Sequence, residues 1–379
     1  MVGRLCLTLF RFWRGGERAK RALFMRVLFL TQTSEFGPSS RYRVYQYLDF
    51  LKREGVRCKV IPAISSNHYT KVYYTTRLIN KLPYFGLVLL KRLIELTRIG
   101  RSDIVFLQKE ILPQAYPLIE ELIKKLNRKL VFDFDDAIFL LPPKTRSLLY
   151  NFRYKNAIPR ILMMSDCVIA GNGYLKEYAL RFNRNVEVIP TSIDTEKYFV
   201  KKKEKKDKIN IGWIGSKTAI FYLNRLRNMF RILANRYNVC LSAIGADEYR
   251  VNGVETVARP WRLEREISDL QDFDIGVAPL VNDEWALGKC GSKLLQYMGV
   301  GIPVVASRVG INREIIQDGV NGFLADSEEE WIEKLSQLIK DESLRERLGS
   351  MGRKTVEERY SVKVNGPKLL EILANVNKM

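Results

Sequence analysis

The sequence predicts an α/β protein built from two facing doubly wound domains, and three observations carry that expectation. Short apolar runs alternate with helix-length stretches from Met25 to the C-terminus. A charge run with no apolar residue, KKKEKKDK at 201–208, divides the alternation in two. The 379 residues, 46% of them hydrophobic, are ample for two cores.

In the first half the expected strands are RVLFL (26–30), RCKVI (57–61), DIVFL (103–107), KLVFDF (129–134), CVIA (167–170) and VEVI (186–189). In the second they are INIGWI (209–214), VCLSAIG (239–245), VETVA (254–258), FDIGVA (273–278) and IPVVAS (302–307). Most are apolar nearly end to end, as strands of a parallel sheet covered on both faces are. Helices are expected at 218–236, 262–271, 292–299, 327–340 and 341–358, with others between the strands of the first half. A last helix, about 366–377, follows Gly366 and Pro367 and is expected to pack back on the first domain. The expected organisation is a basic extension (1–24), a first domain (25–200), a solvated linker (201–208), a second domain (209–358) and a C-terminal segment (359–379). Ligands of such sheets bind at the carboxyl ends of the strands.

The formal net charge is +21 and unevenly placed. Residues 1–200 hold 34 Lys and Arg against 17 Asp and Glu, whereas the remainder holds 29 against 25. A basic first half points to an anionic partner: nucleic acid, a membrane surface or a phosphorylated substrate. Five scattered cysteines without a CxxC pair, and the single His68, argue against a disulfide framework and a zinc site. They fit a reducing compartment. No run approaches the ~20 apolar residues of a spanning helix. LCLTLFRFW near the N-terminus is too short to span and lacks a small-residue cleavage site, so it is not read as a signal peptide. Met25 reads as a natural start, leaving 1–24 as an upstream extension, a misassigned start or a basic interfacial tail. On a helix, Leu5, Leu9, Phe12 and Trp13 share one side and Arg4, Arg11, Arg14 and Arg18 the other, an amphipathic surface-binding pattern; a disordered tail is the alternative.

The stretch ALGKCGSKLLQYMGVGIPVVAS (286–307) carries the clearest chemistry. Gly288, Gly291 and Ser292 allow close backbone approach, and a helix beginning at Ser292 presents unpaired N–H groups and a positive dipole end. Lys289 and Lys293 add full charges beside it, and the simplest occupant is a phosphate.

Four stretches of the second half, IGWIGSKT (211–218), DFDIGVAPL (272–280), GKCGSKLLQYMGVGIPVVAS (288–307) and EIIQDGVNGFLA (314–325), resemble the GT-B glycosyltransferases, with two Rossmann-like domains, and most closely the retaining family 4. In the first half GPSSRYRVYQYLDFL (37–51) and FDFDDAIF (132–139) resemble a subgroup of that family. The resemblance implies a nucleotide-sugar donor as substrate, no cofactor and no divalent metal. The family's two glutamates, eight positions apart, fall on Gly288 and Gln296, so the motif is degenerate. Gln296 keeps an uncharged ribose contact, and Asp283 or Glu284 is left to reach the hexose. Where the family places an Arg and a Lys on the diphosphate, this chain has Gly215, Ser216, Lys217 and Thr218. Lys217, Lys289 and Lys293 are the substitutes, with solvated surface charges as the alternative, while Gly291 and Ser292 offer backbone N–H groups. Trp261, beside Arg259 and Pro260, stands where the family packs the base, with a core role weighed more heavily.

In the first domain Gly37 is expected to let the chain approach the donor, and Arg41 or Arg43 to hold an anionic acceptor or the diphosphate, or else to be exposed helix arginines. Asp133, Asp135 and Asp136 are the catalytic candidates, orienting the acceptor hydroxyl or the transferring sugar. Asp133-Phe134-Asp135 is also literally the DxD that binds a metal in the other glycosyltransferase fold, but the second domain's phosphate loop favours GT-B without metal. A structural role for three carboxylates in four residues requires basic neighbours to pair them. The resemblance implies retention, with the leaving phosphate accepting the proton; an inverting route would use Asp135 or Asp136 as base.

Residues 71–101 combine Tyr73, Tyr74, Tyr84 and Phe85 with Lys71, Arg77, Lys81, Lys91, Arg92, Arg98 and Arg101, against Glu95 alone. They suit docking on an anionic membrane, the alternative being a helix pair with a basic outer face. The leading expectation is therefore a glycosyltransferase acting on a glycan or lipid-linked acceptor in cell-surface polysaccharide or glycolipid assembly, cytoplasmic and peripheral on the inner face of the membrane. A GT-B sugar-nucleotide epimerase and a basic nucleic-acid-binding protein are the alternatives; no RNA motif or helix-turn-helix supports the latter, and no nucleic-acid partner is expected.

Overall fold

The computed structural model describes residues 25–379 apart from 68, 70–85, 87, 89, 93, 95–98, 113–114, 127–128, 142–153 and 203–206. The chain forms two compact units, Met1–Pro190 with Asn365–Met379, and Thr191–Val364.

Unit 1 is a six-stranded parallel sheet of β1 (Arg26–Thr33), β2 (Arg57–Ile64), β3 (Ile104–Gln108), β4 (Lys129–Phe134), β5 (Cys167–Ala170) and β6 (Val186–Val188), in the order β2-β1-β3-β4-β5-β6. β3 and β5 are buried along their whole length, as the apolar runs require. The order reverses between β1 and β3, so the loops after these strands flank the crevice at which such sheets take ligands.

Unit 2 is also a six-stranded parallel sheet, of β7 (Ile209–Ile214), β8 (Val239–Ile244), β9 (Thr256–Arg259), β10 (Ile275–Ala278), β11 (Val304–Ser307) and β12 (Phe323–Ala325), but in the different order β12-β11-β10-β7-β8-β9. Its switch point lies between β7 and β10. The core on one face gathers Trp213, Phe230, Leu233, Leu241, Val277 and Trp331.

Three features differ from the sequence expectation. The stretch 218–236 is not one helix: 3₁₀ turns at Lys217–Ala219 and Asn224–Leu226 separate Ile220–Leu223 from Arg227–Arg236. β12 was expected only as part of a motif, because three buried residues show no periodicity. The last helix starts earlier, at Val362, and runs through Gly366 and Pro367 to Lys378. Packing overrides the proline: Leu369, Leu373 and Val376 are buried, and a Cβ on Gly366 would stand 2.8 Å from the Phe50 ring. Lys129 Nζ also donates to Asn377 O at 2.6 Å, tying this helix to unit 1.

The units divide at Pro190. The segment that follows belongs to unit 2 because Ile193 N–H donates to Tyr360 O (2.8 Å), Val362 N–H to Ile193 O (3.0 Å) and Arg353 Nη2 to Thr195 O (2.9 Å). Residues 1–24, His68 and most of 71–101 lie outside the described residues. Of the last stretch, Arg92 is buried and donates to Ile61 O and Thr31 O, so it is not part of a basic outer face.

Candidate functional site

In unit 2 the glycine-rich stretch expected to take a phosphate leads into the helix Ser292–Gly299, whose bounds match the expected ones, beside β7 and β10. Gly291 caps this helix at φ 68° and ψ 19°, a left-handed conformation favouring glycine. A Cβ there would also stand 2.4 Å from Ile315 Cδ1. No side chain caps the helix and no acid lies in its first turn, so its leading N–H groups face an anion-favouring terminus.

Lys293 projects from that turn with Nζ 4.9 Å above the Trp213 ring. Burial, and then the neighbouring charge of Lys289, push its ammonium down to about 7. The acid that would restore it is missing: among the described residues Lys293 makes no salt bridge. Gly215, at the end of β7, completes the cradle; a Cβ there would meet Trp213 at 2.5 Å and Lys293 Cε at 3.0 Å. Lys289 Nζ lies 5.1 Å over the Trp285 ring.

The remaining donor candidates are placed differently. Lys217 pairs with Asp247 at 3.2 Å in the open, so its charge already has a partner. Ser216 Oγ and Thr218 Oγ1 share a hydrogen bond of 2.8 Å. Asp283 caps the short helix Glu284–Leu287, accepting from Ala286 N at 2.7 Å, which leaves Glu284 as the carboxylate of that loop. Gln296 is buried in the helix, at 5% exposure. Trp261 is partly buried and donates to Glu266 Oε2 at 2.7 Å.

Tyr297 is a residue that sequence reasoning missed. Its hydroxyl accepts from Ile214 N (3.0 Å) and donates to Val277 O (3.4 Å), bridging β7 and β10 where they part at the switch point. Burial raises its pKa well above the ordinary tyrosine range, so the phenol stays neutral.

In unit 1 the carboxyl ends of β1, β3 and β4 converge. Gly37 lies so close to Thr33 that a Cβ would overlap its Oγ1, at 1.9 Å. Ser40 Oγ accepts from Thr33 and donates to Gln108 Oε1 at 3.0 Å. Arg41 is buried and donates to Glu35 O at 2.9 Å. Arg43 and Asp133 form a fully buried pair, Nη2–Oδ1 2.5 Å, with both side chains 1% exposed, and Arg43 Nη1 also donates to Ile189 O. Neither is an exposed helix arginine or a carboxylate open to solvent; Arg43 and Asp133 satisfy each other.

Asp135 and Asp136 follow the carboxyl end of β4, with 10% and 21% of their side chains exposed. Both contact Lys109 Nζ, at 2.8 and 2.7 Å. Basic partners thus accompany all three aspartates, the condition under which their proximity is tolerated. No group of three or more His, Cys, Asp or Glu capable of holding a metal occurs among the described residues. Lys109 and Glu110, missed in the sequence, are signalled only by a polar pair ending the buried strand DIVFLQKE. Glu110 is 5% exposed, and burial pushes its carboxyl up to about 7.

With these sites in view, similarity to known proteins adds the family context. Residues 270–355 match the model of the family glycosyl transferases group 1. Three of the four resembling stretches of the second half lie inside that span. A sucrose synthase of Melioribacter roseus is 38% identical over 88 residues, 22% of this chain and 11% of that one. The capsular polysaccharide biosynthesis glycosyltransferase CapM of Staphylococcus aureus is 26% identical over 172 residues, 42% of this chain and 44% of that one. The matched segments therefore span less than half the length of either curated relative. Anabaena HepE, solved with UDP and glucose, superposes with a TM-score of 0.65 over 93% of this chain and 100% of its own, at 15% identity. The fold is that of the GT-B glycosyltransferases. The stretch that matches the glycosyl transferases group 1 model lies in unit 2.

Proposed function

We propose that the protein is a glycosyltransferase that binds the diphosphate of a nucleotide sugar on unit 2 and a glycan or lipid-linked acceptor on unit 1. The observation that carries this reading is Lys293: a cation without an acid partner among the described residues, beside an uncapped helix terminus and the Gly215 backbone. A diphosphate supplies the missing negative charge and accepts hydrogen bonds from the leading N–H groups of the helix. The group 1 segment supports the assignment, and the UDP and glucose seen with HepE make UDP-glucose the first donor to try. Lys293 then also stabilises the charge that grows on the leaving diphosphate. We read the reaction as retaining and free of a protein base, with the departing phosphate oxygen taking the acceptor proton. Gln296 contacts the ribose, Glu284 the hexose, and Asp135 and Asp136 the acceptor hydroxyls.

The decisive experiment is calorimetry and thermal shift with UDP-, GDP-, dTDP- and ADP-sugars, with and without Mn²⁺. Metal-independent binding of one nucleotide, lost in Lys293→Ala, supports the reading; strictly Mn²⁺-dependent binding lost in Asp135→Ala refutes it.

The basic first half supports a position on the inner, anionic face of a cell membrane and a capsule- or glycolipid-type acceptor, as CapM's role would suggest. Among the described residues no helix is long and apolar enough to cross a membrane. Sedimentation with anionic liposomes at low salt tests this, and failure to sediment counts against it.

A further inference from the structure

Lys109 is the one non-glycine residue with positive φ among the described residues, at 59°. That backbone conformation is costly for a non-glycine residue and persists where the surroundings enforce it. Here its N–H donates to Asp133 O at 2.8 Å, and Asp133 is itself held by Arg43. The strained turn at the end of β3 aims a buried ammonium at three oxygens: Ser39 Oγ at 3.0 Å, Asp135 Oδ1 at 2.8 Å and Asp136 Oδ2 at 2.7 Å. Ser39 Oγ and Asp136 Oδ2 accept hydrogen bonds from it, while Asp135 Oδ1 is held as an ion-pair partner. Burial alone would push this lysine down, but the two carboxylates more than reverse it and hold the charge.

Two carboxylates joined through one cation are the arrangement a hard divalent ion makes with oxygen ligands. We propose that Lys109 is a built-in counter-cation standing where a divalent ion would otherwise bridge Asp135 and Asp136, fixing Asp136, the more exposed of the pair, towards a hydroxyl-bearing acceptor. Lys109 is a positioning residue: it acts through the aspartates and leaves them able to accept hydrogen bonds from an acceptor sugar without metal. The acceptor half of this inference rests on the glycosyltransferase reading, whereas the cation half stands on the geometry alone.

The experiment titrates Mn²⁺ into the full-length wild type, Lys109→Arg, Lys109→Ala and Lys109→Ala/Asp136→Asn, following free Mn²⁺ by electron paramagnetic resonance. Lys109→Ala is expected to bind Mn²⁺ about ten-fold more tightly than the wild type or Lys109→Arg, and the added Asp136→Asn to abolish the gain. A folded Lys109→Ala that binds no better than the wild type overturns the proposal. So does wild-type Mn²⁺ binding that Asp136→Asn removes. If Lys109→Ala is poorly folded, Mn²⁺ is expected to raise its melting temperature and leave the wild type unmoved; no rise overturns the proposal equally. UDP binding by the wild type, measured in parallel, tests the glycosyltransferase reading separately, because unit 2 carries that site.

Discussion

Lys293 holds its ammonium 4.9 Å above the indole of Trp213, and burial beside Lys289 pushes it down to about 7. A bound diphosphate would restore the proton, so nucleotide binding at pH 8 is expected to take up as much as one proton per site and at pH 6 almost none. Calorimetry in two buffers of different ionisation enthalpy measures this directly. Lys293→Ala is expected to abolish the uptake and weaken binding by about 10- to 100-fold, the scale of a charged hydrogen bond. Equal proton uptake at both pH values would remove Lys293 from the phosphate site.

The same lysine also sets a trend without ligand. Its folded pKa lies below its unfolded one, so between about pH 7 and the ordinary lysine range the unfolded chain binds the extra proton. The contribution to stability therefore rises with pH across that window and is lost as pH falls through 7. Urea unfolding of the wild type against Lys293→Met at pH 6.5 and 9 checks the sign: the gain from Met is larger at pH 6.5.

The Arg43–Asp133 pair is buried at 1% exposure on both sides. Removing one partner leaves an uncompensated charge, so Asp133→Asn is expected to destabilise unit 1 by about 3–5 kcal/mol. Replacing both by apolar residues of similar volume should recover most of that. Denaturant midpoints of Asp133→Asn and of the double apolar variant decide it. A loss under about 1 kcal/mol would show that Asp133 is held for another purpose.

Glu110 has the opposite pH sign. Its carboxyl is pushed up to about 7, chiefly by burial, so the folded state holds a proton between the ordinary glutamate range and 7 that the unfolded state has lost. Stability from this group is present at low pH and declines as pH rises through 7. Glu110→Gln, which keeps the shape without the charge, is expected to be more stable than the wild type at pH 8 by about 1–3 kcal/mol and similar near pH 4. Thermal melts at the two pH values measure the difference.

Gly291→Ala combines two penalties, a left-handed φ and a Cβ 2.4 Å from Ile315 Cδ1. Adding Ile315→Val removes the contact but not the backbone strain of about 1–2 kcal/mol. The double variant should therefore melt between Gly291→Ala and the wild type. Nucleotide affinity is expected to follow the same order, since the cap orients the N–H groups.

Much of the fold was readable because its signals are local. Strands buried on both faces write themselves as unbroken apolar runs, so KLVFDF, CVIA and INIGWI appear with the expected bounds at Lys129–Phe134, Cys167–Ala170 and Ile209–Ile214. The helix Ser292–Gly299 was equally plain, since glycine precedes it and Leu294, Leu295 and Met298 recur at helical spacing. β12 was not, because three buried residues have no period to show. The last helix was misplaced at its start because propensity argued against Pro367, and packing on unit 1 outweighed it.

By itself the sequence determined two parallel sheets, the glycine-led helix in the second, and residue types suited to a phosphate. Only the tertiary structure decided which charges remain available. Lys293 and Lys217 look alike in sequence, yet folding sets one over Trp213 and the other against Asp247. DFDD reads as a free acidic cluster, yet the strand order β1-β3-β4 brings Arg43 and Lys109 onto it from distant positions. Periodicity records which face of an element is buried. The partner of a charge depends on which strands lie side by side, and no local pattern encodes that.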